Sequence, residues 1–183
     1  VWEADQVVEL LDDVHRSRQS NPESQYFLGS MVLKKSYKQD GATKYEEYDL
    51  LDGQQRLTTL FLITAVVRDL TPKSNEMRIR TCRDTIYQMA NPDDNIPDRN
   101  RIVFDIRDKV RRFVDFYIKS DGGTQKIDEL KRLSQKNNED ISIRNIANAI
   151  LTIQDFFKKG NSLDDFFPYL RTNVLMIYVA AEE

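Results

Sequence analysis

Apolar residues return at helical spacing in several stretches of the chain, and between them lie short runs of strand character. Val7, Val8, Leu10, Leu11 and Val14 predict a helix capped by Asp5 and running to about Arg18, with Glu9, Asp12, Asp13, Arg16 and Arg18 outside. His15 falls near its end as a surface residue, since no partner is identifiable for it. Asn21-Pro22 breaks that helix. Tyr26 to Lys34 and Tyr45 to Leu51 read as strands, a hairpin with a long polar connection around Asp40-Gly41. From Gln54 to about Leu70 the apolar face is so wide (Leu57, Leu60, Phe61, Leu62, Ile63, Val66, Val67) that the helix must be buried on more than one side, as a central helix packed on a sheet would be. Thr71-Pro72 ends it.

The second half is mostly helical. Ser74 to Ala90 fits a helix loosely, although Thr85-Ile86-Tyr87 could instead be a strand paired across a turn-rich segment with Arg101-Ile102-Val103-Phe104. Ile106, Val110, Phe113, Val114 and Tyr117 mark a helix that stops at Gly122-Gly123, and another spans Thr124 to about Ser134. Ile143, Ile146, Ala147, Ile150, Ile153 and Phe157 form the most regular amphipathic pattern of the chain. Leu163 to Leu170 predicts a short helix, and Val174 to Ala180 a final strand of buried type. The pattern is therefore α/β (α+β): a core over residues 1–90 and a helical extension over 91–183 that ends in a returning strand.

The strand at Tyr45 delivers Asp52-Gly53-Gln54-Gln55-Arg56 to a turn from which the central helix departs. The first N–H groups of a helix lack internal partners and the helix dipole adds positive charge there, so such a turn is a natural anion site. Gly53 permits the sharp reversal and close approach to the backbone. Asp52 can act as N-cap with Gln55 three residues on, and Arg56 offers a planar fork of donors suited to phosphate. A well-capped helix whose polar residues simply face water has the same spacing.

Composition narrows the choices. The 183 residues are 40% hydrophobic and 31% charged, an ordinary globular balance with no apolar run suited to a membrane span. A net charge of −3 supplies no overall basic field for nucleic acid. One cysteine, Cys82, excludes an internal disulfide and suits a cytoplasmic setting; one histidine makes a zinc enzyme of usual ligand set unworkable. Neither a P-loop nor a dinucleotide-binding glycine pattern is present. The opening at Val1 and the strand close to the last residue fit a piece of a longer protein.

Asp52-Gly53-Gln54-Gln55-Arg56-Leu57-Thr58-Thr59-Leu60 resembles the DGQQR signature of the N-terminal domain family of GmrSD-type restriction enzymes, itself similar to the ParB and sulfiredoxin-like superfamily. Tyr26-Phe27-Leu28-Gly29-Ser30 resembles the segment that precedes the motif, and Val1-Trp2 the tail of a Tyr-x-Trp element. The resemblance implies a ParB/sulfiredoxin-like small sheet and a nucleoside triphosphate bound with Mg²⁺. Gly53, Gln54, Gln55 and Arg56 would hold the nucleotide. Asp52, Gln55 and Arg56 would carry its hydrolysis, with Asp52 orienting the metal. It also implies, as partners, modified DNA and a C-terminal His-Asn-His nuclease domain or separate subunit.

Two rival readings remain. A non-catalytic DNA-sensing or scaffold module would keep the motif for structure alone. A metal-dependent nuclease core would use Asp93 or Asp98 with Glu129 and Lys131, although these last two sit in a helical pattern where a strand is usual. The cluster of Arg99, Arg101, Arg107, Lys109, Arg111 and Arg112 is interleaved with acids and reads as a salt-bridged surface rather than a DNA groove. Tyr26 and Phe27 are expected to pack in the core.

Overall fold

The computed structural model describes residues 4–104 and 107–181. Among the described residues, seven α-helices carry most of the core, and a three-stranded sheet lies to one side of them. Helix α1 (Ala4–Ser20) buries Val7, Leu10, Leu11 and Val14, and strand β1 (Tyr26–Asp40) pairs antiparallel with β2 (Thr43–Asp52). The connection between these strands is much tighter than their polar sequence predicts. Both strands continue to Asp40 and Thr43, and Gly41, with φ of +57°, turns the chain in two residues. Alternating polar residues on a two-sided solvated hairpin look like loop in sequence, which is why the strands seem shorter there.

Helix α2 (Gln54–Leu70) has the predicted limits, with Gly53 before it and Thr71 closing it through a hydroxyl bond to the Val67 carbonyl at 2.6 Å. From Phe61 to Arg68 every residue is buried. Where the sequence suggested a sheet, its buried length packs mainly on α3 (Glu76–Ile86), α6 (Ile141–Lys158) and the segment around Gly123, and its first turn meets the sheet through Arg56 over Gly29. A helix apolar all round needs surrounding apolar surface, and other helices supply it as well as a sheet does.

Strand β3 (Tyr87–Gln88) follows α3 directly and pairs with β4 (Arg99–Asn100), so the ambiguous region is a helix that ends in a short ribbon. Helix α4 (Asp108–Phe113) starts later than expected and passes into a π-helical turn at Val114–Lys119; the predicted Ile106 lies outside the described residues. Helix α5 (Ile127–Gln135), preceded by a short 3₁₀ turn at Gly123–Gln125, packs on α6, and α7 (Leu163–Thr172) leads into β5 (Val174–Ala180).

The wider π-helical turn has a visible consequence. Arg68, 2% exposed, donates to the carbonyls of Lys119 and Ser120 at its end, while Asp69 accepts from the Gly122 and Thr124 amides and the Thr124 hydroxyl. The buried Arg68–Asp69 pair thus ties the C-terminal end of α2 to the loop before α5.

Strand β5 runs parallel to β1, giving the sheet order β2-β1-β5. Contrary to its sequence pattern, β5 is not buried: Leu175, Ile177, Tyr178 and Val179 are all exposed. His15, expected on the surface, is half-buried with its ring edge-on to Phe156 at 5.8 Å. None of the described helices is long and apolar enough to cross a membrane.

Candidate functional site

A cavity of about 560 Å³ opens where β2 turns into α2, and Asp52, Gly53, Gln54, Gln55 and Arg56 all line it. The turn works through Gly53, whose φ of +89° is a left-handed conformation that side-chain-bearing residues adopt only under strain. Gly53 also sits close to β1, where an added Cβ would lie 3.0 Å from the Met31 Cβ.

Gly53, and not Asp52, occupies the N-cap position of α2, and no side chain caps the helix. The predicted cap by Asp52 therefore does not form. As the last residue of β2, Asp52 turns outward, with its side chain 66% exposed and 3.9 Å from the Arg56 guanidinium. The first intrahelical bond runs from the Leu57 amide to the Gly53 carbonyl at 3.0 Å. The amides before it have no partner within the helix and sit at its positive end beside the cavity.

Arg56 is held from a distant part of the chain. Its guanidinium lies over Gly29 in β1, and its Nη1 approaches the Leu28 carbonyl at 3.5 Å. At Gly29 the register of β1 against β5 shifts, and φ reaches +131°. A β-bulge with glycine there kinks the strand and leaves room for the planar group. Arg56 retains 35% exposure, enough to meet a ligand.

The two amides of the motif differ. Gln54 donates to the Leu50 carbonyl at 2.9 Å and so braces the turn. Gln55 is exposed; its backbone carbonyl accepts from the buried Thr59 hydroxyl at 2.8 Å, leaving the side chain to face the cavity.

Helix α1 supplies the opposite wall through Gln6, Glu9 and Asp13, none of which the motif announced. The Tyr26 hydroxyl donates to Asp13 at 3.2 Å, and Asp13 also pairs with Arg16 at 2.7 Å. Burial, and then the Asp13 carboxylate, push the Tyr26 phenol above its ordinary pKa, so it stays a donor. Tyr26 is thus a wall of the site, while Phe27 turns outward and is exposed, against the expectation that both pack inside. The spacing of Glu9 and Asp13, i and i+4 on one helix face, was a usable signal, but only folding shows that this face looks at the turn.

The cavity carries three carboxylates, Glu9, Asp13 and Asp52, against the single guanidinium of Arg56. Among the described residues no group of three or more His, Cys, Asp and Glu is placed to hold a metal ion. Of the acids weighed for a nuclease centre, Glu129 accepts from the Tyr117 hydroxyl at 2.8 Å. The arginine-rich stretch is a salt-bridged surface: Arg99 pairs with Glu47, Arg107 with Asp140, Lys109 with Glu139 and Arg111 with Asp108. A second cavity of about 850 Å³, between α3 and Lys119, contains none of the motif residues.

No curated protein matches the chain. Across residues 1–183 the chain matches the family described as GmrSD restriction endonuclease, N-terminal domain, and it belongs to that family.

Proposed function

We propose that this is the nucleotide-binding, NTP-hydrolysing regulatory domain of a modification-dependent restriction endonuclease, and that the cavity at the β2–α2 turn receives the polyphosphate. The observation that carries the reading is the uncapped start of α2, opening on a cavity beside a partly exposed arginine. Unpartnered amides at the positive end of a helix, with a forked cation alongside, favour phosphate oxygens. The cavity is also large enough for a nucleotide.

The carboxylates constrain how that ligand enters. With Asp13 paired to Arg16, Glu9 and Asp52 still set two carboxylates against the Arg56 guanidinium, so a triphosphate accompanied by a divalent cation suits the cavity better than a bare one. The residues fit Mg²⁺ in that form: it is commonly held by one or two carboxylates together with substrate phosphates, and Asp52 is an exposed carboxylate at the mouth, 3.9 Å from the Arg56 guanidinium. When bound, the ion supplies charge neutralisation at the phosphates. Arg56 binds the terminal phosphoryl group, the Gln54 and Gln55 amides cradle it, and the Gln55 side chain orients a water. In hydrolysis that water's oxygen bonds to the terminal phosphorus as its proton passes to an oxygen of the released phosphate, the bond to the bridging oxygen breaks, and the leaving nucleoside diphosphate takes the electron pair. The modified DNA and a C-terminal His-Asn-His nuclease domain or separate subunit belong to this same proposal.

Calorimetric titration of nucleoside triphosphates with Mg²⁺ into the full-length protein, followed by phosphate-release assays, tests the reading. Binding that weakens in Arg56→Ala, with hydrolysis lost in Arg56→Ala and Asp52→Ala, is expected; unchanged affinity and turnover in both variants overturn it. The bond from Gln54 to the Leu50 carbonyl favours the rival, a motif kept to shape the turn of a non-catalytic DNA-sensing or scaffold module. That rival predicts no heat of nucleotide binding.

A further inference from the structure

Two of the three carboxylates in the cavity already have partners. Asp52 lies 3.9 Å from the Arg56 guanidinium, while Asp13 accepts from the Tyr26 hydroxyl at 3.2 Å and pairs with Arg16 at 2.7 Å. Glu9 has none. It is exposed on α1 and lines the cavity, and among the described residues its carboxylate makes neither a hydrogen bond nor an ion pair. It stands one turn before Asp13 on the same face of the helix. After burial and Asp13, Glu9 also helps to raise the Tyr26 phenol, so its charge is felt at that hydroxyl, on the α1 side of the cavity.

Across from Glu9 are the uncapped start of α2 and Arg56, groups that attract an anion. An uncompensated acid repels that same anion, so its complement is a different part of the ligand. A divalent cation riding on the phosphates is served by Asp52 at the mouth, which leaves Glu9 for a neutral donor. An ionised carboxylate only accepts, and its two oxygens can take two neighbouring hydroxyls at once. Next to its phosphates a ribonucleotide carries such a pair, the 2′- and 3′-hydroxyls of the sugar, and an acidic side chain that accepts from a ribose hydroxyl is an established device of nucleotide sites. Leu28 of β1 and Leu51 of β2 line the same cavity and offer apolar surface to the rest of the nucleoside.

We propose that Glu9 accepts the 2′- and 3′-hydroxyls of the sugar and thereby makes the cavity selective for ribonucleoside over 2′-deoxyribonucleoside triphosphates. The proposal rests on the nucleotide reading of the cavity and adds which part of the ligand α1 recognises. Such a choice suits a domain of a restriction endonuclease, which works beside DNA: sugars without a 2′-hydroxyl do not satisfy Glu9, so the cavity does not answer to pieces of the DNA itself.

Calorimetric titration of the full-length protein with ATP, GTP, CTP and UTP and with their 2′-deoxy counterparts, each with Mg²⁺, tests this. The parent protein is expected to bind the ribose form of whichever base it accepts about 10- to 100-fold more tightly than the deoxy form, the range for a hydrogen bond to a charged acceptor. In Glu9→Ala the preference disappears because the ribose form weakens, while the deoxy form binds as before or more tightly, an acid facing its phosphates having been removed. Equal affinities for the two forms in the parent overturn the proposal, as does a ribose preference that survives Glu9→Ala. Equal weakening of both forms in Glu9→Ala, reversed by excess Mg²⁺, also overturns it and makes Glu9 a ligand of the cation. Arg56→Ala separates the two levels. Weaker binding of both forms in that variant, with no ribose preference in the parent, leaves the phosphate site standing without the role given to Glu9. Failure of every nucleotide to bind the parent overturns the cavity reading and this proposal with it.

Discussion

A methyl group placed on Gly29 would lie 2.0 Å from the Nη1 of Arg56 and 3.0 Å from its Cζ, so the strand that precedes the motif is shaped around the motif's arginine. The φ of +131° at Gly29 adds backbone strain to any side chain there. Gly29→Ala therefore expels the guanidinium from its seat without removing its charge. Losing a well-placed charged hydrogen bond costs about 1.5–3 kcal/mol, so nucleotide affinity should fall by roughly 10- to 100-fold. Calorimetric titration of the folded variant checks it, and affinity equal to that of the parent protein refutes the role given to Gly29.

Arg56→Lys keeps the charge and loses the planar fork. Only one donor group then reaches a phosphoryl oxygen, so Lys should recover binding only in part relative to Arg56→Ala, and hydrolysis less than binding. Comparing dissociation constants with single-turnover rates for the two variants provides the measurement. Full recovery by Lys would mean that Arg56 acts as a point charge.

Asp69→Ala removes the anion from a pair whose side chains are each 1% exposed. Arg68 would stay buried with only the half-exposed Asp121 carboxylate, 3.4 Å from its Nε, to compensate it, and the Gly122 and Thr124 amides would lose their acceptor. Breaking a buried pair costs about 3–5 kcal/mol when no partner remains, so with Asp121 left the loss should lie toward the lower end of that range, which denaturant unfolding should read as a lower midpoint with an unchanged slope. A loss under about 1 kcal/mol would show that the clamp on the loop is dispensable.

Gly123→Ala would bring a Cβ to 2.4 Å from the Tyr117 carbonyl oxygen, a backbone atom of the π-helical turn that cannot swing aside. Overpacking of this sort costs about 1–3 kcal/mol. Thermal unfolding of Gly123→Ala against Gly122→Ala separates steric from conformational effects, because Gly122 has open space around its added Cβ but a φ of +75°.

Acid should loosen the N-terminal end of α6. The Arg107 guanidinium beside Asp140 holds that carboxyl below its usual range, helped by the Ser142 amide, and Lys109 with the Asp140 amide does the same for Glu139. A carboxyl whose pKa is lowered by folding adds stability that is fully present above its unfolded value and is lost as the pH falls through the folded one. The unfolding midpoint should thus decline below the ordinary carboxylate range, and Asp140→Asn should flatten part of that decline. An identical pH profile in the variant would remove Asp140 from the account.

Local chemistry made part of this molecule legible in its sequence. Gly53 and Thr71-Pro72 punctuate α2 so strongly that its limits follow directly, and the unbroken apolar periodicity of α6 does the same. The motif itself, from Asp52 to Arg56, marked the turn from β2 into α2, because Gly53 takes the left-handed conformation that such a turn requires.

Periodicity reports that a residue is inside or outside, but it does not name the surface it meets. That is why α2 was expected against a sheet and lies among helices, and why β5 looked buried and is exposed. The seat of Arg56 over Gly29, the acidic wall from Glu9 and Asp13, and the clamp of Asp69 on Gly122 join residues far apart in the chain. Such contacts are fixed by strand register, by bulges and by the packing of whole helices. These are properties of the assembled chain, and no window of sequence contains them.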